Sequence, residues 1–84
     1  MPEPQNLLRQ AQSLGFSLRD VARMAGVSPA AVSKWQHGAY APSPQRDEQL
    51  AQVQAWLDSV TPEVRNYLRN GKARRAWIRQ RVGE

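Results

Sequence analysis

The stretch Leu18 to His37, LRDVARMAGVSPAAVSKWQH, holds two short helical segments around one tight turn. Ser17 stands before the first as a capping hydroxyl, and Asp20 follows it at capping-box spacing. Leu18, Val21, Ala22 and Ala25 recur at helical intervals until Gly26 closes the segment. Glycine reaches the left-handed conformation that a sharp turn needs at that point. Ser28-Pro29 opens the second segment, a capping hydroxyl followed by a proline at the first helical position. That segment runs to about Gln36 or His37 and stops at Gly38. Ala22 must be small because two helices joined so tightly cross close to it. Val21, Ala25, Val27, Val32 and Trp35 form the wedge between the pair and the rest of a core. The opposite face of the second helix carries Pro29, Ala30, Ser33, Lys34 and His37, nearly all small or polar. A helix with one large apolar face and one hydrogen-bonding face suits the DNA major groove.

Outward from this pair the punctuation stays helical. Leu7, Leu8, Ala11 and Leu14 mark a helix before it, stopped by Gly15. After a loop from Ala39 to Ser43, Pro44 opens a fourth helix with Leu50, Val53, Trp56 and Leu57 on one side. Thr61-Pro62-Glu63 repeats the cap, proline and acid pattern for a fifth, which Asn70-Gly71 is expected to end. Lys72 to Val82 reads as a sixth, basic helix. No stretch sustains the alternation of a strand. The expected fold is all-α, a compact bundle of five or six short helices containing a helix-turn-helix.

The chain has 84 residues and no cysteine, so one small core forms without a disulfide staple. Its single histidine is His37, and its seven acidic residues make no cluster with it. A zinc site wants three or four ligands at short spacings, which are absent. The five glycines, at 15, 26, 38, 71 and 83, are too scattered for a phosphate-cradling loop. Neither an enzyme nor a cofactor or metal site is expected. The start, Met1-Pro2-Glu3-Pro4-Gln5, lacks the basic end and apolar run of a signal peptide. No apolar run approaches the roughly 18 residues of a membrane span. A cytoplasmic, nucleoid-associated chain with no membrane partner is the expectation.

The net charge of +5 is unevenly placed. Residues 1–60 hold five basic and five acidic side chains and are neutral overall. Residues 61–84 hold seven basic and two acidic ones and carry the whole surplus. Such a segment suits a polyanion, nucleic acid above all.

On these residues the chain resembles the lambda-repressor/Cro-like family, also called the xenobiotic-response-element family of bacterial and phage regulators. That family has alanine at the fifth motif position, glycine at the ninth, and branched apolar residues near the tenth and fifteenth. Here these are Ala22, Gly26, Val27 and Val32. The VS-x-x-x-VS-x-W-x-x-G run from Val27 to Gly38, and Pro42 beyond it, are family-like too. The resemblance spans about residues 5–58. It implies double-stranded DNA binding and puts Arg19 near the duplex backbone. Two departures stand out: Gln36 replaces the usual acid after the tryptophan, and Pro29 and Ala30 stand where relatives often carry a base-reading side chain. These two offer only apolar contact, as to a thymine methyl, which leaves Ser33, Lys34 and His37 as the readers.

Ser17 and Ser28 are caps first and phosphate donors second. His37 suits either a helix C-terminus or a base or phosphate contact, and Tyr40 either a core lid or a phosphate donor. Residues 1–60 are thus expected to form the helix-turn-helix DNA-binding domain, and 61–84 a basic helical extension. In that extension Val64, Tyr67, Leu68, Trp77 and Ile78 are the candidate dimer contact, with Arg74, Arg75 and Arg79 reaching the DNA backbone. A disordered basic arm is the plainer alternative.

The expected function is a dimeric, sequence-specific repressor that occludes a promoter. Its two recognition helices would lie about 34 Å apart on a palindromic operator. The rivals are an antitoxin whose tail neutralises a toxin partner, and an RNA-binding or nucleoid-type protein acting through its arginines.

Overall fold

Three of the helices begin with the same local device. Ser28, Ser43 and Thr61 each precede a proline, and each side-chain oxygen accepts from the backbone N–H three residues on, Ala31 (3.3 Å), Arg46 (3.1 Å) and Val64 (3.3 Å). Proline lacks the N–H that would be orphaned there, and the hydroxyl satisfies another orphan. The computed structural model describes residues 4–39 and 43–83, so Tyr40 and Pro42 lie outside the described residues. Among the described residues all regular structure is helical, as the sequence predicts: α1 (Pro4–Ser13), α2 (Leu18–Ala25), α3 (Pro29–Gln36), α4 (Pro44–Asp58), α5 (Pro62–Tyr67) and α6 (Gly71–Val82).

The boundary between α5 and α6 differs from expectation. Asn70-Gly71 does not end α5, which stops at Tyr67; it starts α6. The Asn70 side-chain oxygen accepts from the N–H groups of Lys72 (2.8 Å) and Ala73 (3.3 Å). Asn is as good an N-cap as a helix terminator, and only the three-dimensional turn decides between the two roles.

One core joins all the long helices. α2 lies at its centre, packed against α1, α3, α4 and α6. Leu7, Leu8 and Ala11 come from α1, Val21, Ala22, Met24 and Ala25 from α2, and Val32 and Trp35 from α3. Leu50, Val53 and Leu57 of α4 complete one side, and Phe16, Leu68, Trp77 and Ile78 the other. The helices α6 and α2 run in the same direction. Arg74 meets Gly15 just ahead of α2, the Trp77 and Phe16 rings pack at a tilt of 37° with centroids 5.3 Å apart, and Arg81 and Val82 share a groove with Met24 and Ala25 at the far end.

This arrangement corrects the expected dimer contact. Leu68, Trp77 and Ile78 are buried within the chain's own core, where a second copy does not reach them. The apolar set that looks unpartnered in residues 61–84 covers Phe16 and the neighbouring face of α2. Burial on that scale contributes roughly 1.5–3 kcal/mol per side chain, more than a loosely docked arm would gain. Residues 1–60 and 61–84 therefore share a single core. Of the proposed contact, Val64 is half-buried and Tyr67 stays 55% exposed.

Candidate nucleic-acid interface

The α2–α3 pair is locked by its ends. Ser17 Oγ accepts from the Asp20 N–H (3.2 Å), and the Asp20 carboxylate accepts from the Ser17 N–H (3.0 Å), closing the expected capping box. Gly26 takes φ +72°, and the Val27 N–H returns to the Ala22 carbonyl (3.0 Å), so the chain turns at once into Ser28. Because each capping serine accepts through its oxygen, its own O–H proton is left to donate outward. Ser17→Ala is expected to lower stability by about 1 kcal/mol in a thermal melt, with Ser17→Asp restoring most of it.

α3 presents two distinct faces. Val32 and Trp35 are buried, and the Arg46 guanidinium carbon lies 5.5 Å from the Trp35 ring centroid. On the outer side Pro29, Ala30, Lys34 and His37 are exposed and Ser33 is half-buried. Ser28 is exposed at the start of the helix, and Ser17 and Arg19 are exposed at the start of α2. Pro29, Ala30, Ser33, Lys34 and His37 thus lie on one side of α3, opposite the buried Val32 and Trp35. Arg46 is a supporting residue that sequence spacing does not disclose, because it lies eleven residues from Trp35 on another helix.

The sequence model of the helix-turn-helix family matches residues 7–53, from the middle of α1 into α4. The chain belongs to the lambda-repressor/Cro-like helix-turn-helix family. No curated protein and no solved structure matches it. This is a family of DNA-binding transcription regulators, and α2–α3 is its helix-turn-helix. Among the described residues no helix is long and apolar enough to cross a membrane.

The family match stops before α5, so the basic surplus lies outside it. Its cations are not equivalent. Arg74 Nη1 donates to the carbonyls of Leu68 (2.9 Å) and Arg69 (3.1 Å), closing the end of α5. Arg81 lies with its guanidinium carbon 3.8 Å from the Trp77 ring centroid and donates to the Trp77 carbonyl (3.1 Å). Burial lowers its pKa from the ordinary arginine value, yet an arginine keeps its charge at neutral pH. Lys72, Arg75 and Arg79 are exposed and share one face of α6 at helical spacing. Of the three arginines expected on the DNA backbone, Arg75 and Arg79 project freely, whereas Arg74 has a structural task first.

Proposed function

We propose that the protein is a sequence-specific repressor that binds a palindromic operator as a two-fold dimer and occludes a promoter. The exposed outer face of α3 carries this reading, because it sets Ser33, Lys34 and His37 on a helix whose other side is fully packed. In this reading those three address base edges, while Pro29 and Ala30 make apolar contact with the groove. The hydroxyls of Ser17 and Ser28, with Arg19, hold phosphates at the starts of α2 and α3. Arg75 and Arg79 add sequence-independent affinity from α6. Subunits pair through Val64 and Tyr67, since Leu68, Trp77 and Ile78 are occupied within the chain.

Footprinting on the DNA upstream of its own gene tests the reading; absence of a protected two-fold site there and in a selected random pool would overturn it. Lys34→Ala is expected to weaken binding to such a site by about 1–2 kcal/mol, a factor of roughly 5–30, and to leave random duplex nearly unaffected. An equal loss on both duplexes would move Lys34 from base reading to phosphate contact.

A further inference from the structure

We propose that the hollow between the end of α1 and the α5–α6 corner binds one phosphate of the DNA backbone, adjoining the phosphates met by α2. The inference rests on the reading of α2–α3 as the duplex-facing pair. The hollow has a volume of about 320 Å³, and Arg65, Arg69 and Arg74 line it opposite Gln12, Ser13 and the Gly15 turn. Three arginines border one space, and no carboxylate lines it among the described residues. The neighbouring hollow, which Arg65 also lines, holds one acidic side chain, that of Asp58. Its Oδ1 already accepts from the side-chain amides of Gln10 and Gln54, each at 2.9 Å.

The three arginines are positioned for different reasons. Arg65 lies on α5 and Arg69 in the turn that follows it, and both are exposed. Arg74 reaches across from α6, its Nη1 fixed by the Leu68 and Arg69 carbonyls, and lies 3.2 Å from where a Cβ on Gly15 would stand. Its Nε and Nη2 protons remain for another acceptor. Like charges gathered around one space repel one another until an anion enters, and the planar arginine fork matches phosphate oxygens in pairs.

Position argues for a phosphate of the duplex. Gly15 precedes Ser17, the cap of α2, by two residues, a span of at most about 7 Å. That is comparable to the spacing of neighbouring phosphates along one strand. A phosphate in the hollow would therefore be a near neighbour, on one strand, of the phosphate at the start of α2. The site also explains how a module with a neutral first 60 residues meets a dense row of phosphates.

The test is Arg65→Gln with Arg69→Gln, leaving Arg74 to close α5. Binding to a labelled mixed-sequence duplex of about three helical turns is followed by anisotropy between about 50 and 200 mM salt. The double variant is expected to melt like the parent and to flatten the log–log salt slope by about 0.9, one phosphate contact. In NMR titrations with the same duplex, the Ser13 and Gly15 amides should shift in the parent and not in the variant. A variant slope equal to that of the parent overturns the proposal while leaving the role of α3 intact. A parent that binds no duplex at all overturns the underlying reading instead. Inorganic phosphate is titrated in parallel; if it shifts Gly15 while the salt slope stays unchanged, the hollow takes a free anion and the backbone assignment fails. Should the double variant melt early, Arg65→Gln and Arg69→Gln are measured singly, and unchanged slopes in both again overturn it.

Discussion

Trp77→Ala is expected to destabilise the monomer by about 3–5 kcal/mol, a large share of the roughly 5–15 kcal/mol that holds a small domain together. The side chain is buried against Phe16, with the Arg81 guanidinium on its ring. Truncation leaves a cavity under α2 and removes the surface on which Arg81 lies. At about 4–8 °C per kcal/mol, the melting temperature should fall by well over 10 °C. The fall should not depend on protein concentration, because the lost contacts are within one chain. A melt whose shift grows on dilution would return Trp77 to a subunit contact and undo the single-core description. Trp77→Phe, which keeps a ring against Phe16, should recover much of the loss.

Gly26→Val is expected to cost about 2–3 kcal/mol by a different route. Space is not the obstacle, since a Cβ there would meet only the Gln49 side-chain amide at 3.9 Å. The backbone is the obstacle: φ is +72°, and a β-branched residue is poorly tolerated in that region. Gly26→Asn should therefore be the mildest replacement and Gly26→Ala intermediate, an order that chemical denaturation can establish. If valine and asparagine proved equally mild, the turn between α2 and α3 would not need its left-handed residue. The turn has a functional side too, because together with the packing of Val32 and Trp35 it sets the angle at which α3 leaves α2.

Much of the fold was legible because its signals are local. The hydroxyl-proline starts of α3 and α5, the Ser17–Asp20 box and the Gly26 turn each rest on residues within four positions of one another. The outer face of α3 was legible for the same reason, since helical spacing separates Lys34 from Trp35 whatever surrounds them. The place of α6 was not local. Trp77 and Ile78 looked unpartnered because nothing in sequence ties them to Phe16, some sixty residues earlier. Asn70 was ambiguous in principle, because one side chain serves both helix ends. The arginine hollow was beyond reach for another reason: its walls come from α1, α5 and α6, whose approach depends on the packing of α6 along α2.

The shared core also bears on how an operator's geometry would be perceived. Repressors that pair through a separate domain have a tether between the pairing surface and the reading helix, and the tether absorbs misfit. Here Val64 packs against the same core that contains Val32, Trp35, Leu68 and Trp77. In a dimer formed through Val64 and Tyr67, the distance and twist between the two copies of α3 would be fixed by packed side chains. Adding one base pair between half-sites turns one of them by roughly 34–36° about the duplex axis, and this scaffold contains no slack with which to follow it. Spacing would then be discriminated as strictly as base identity, by stiffness and not by contact.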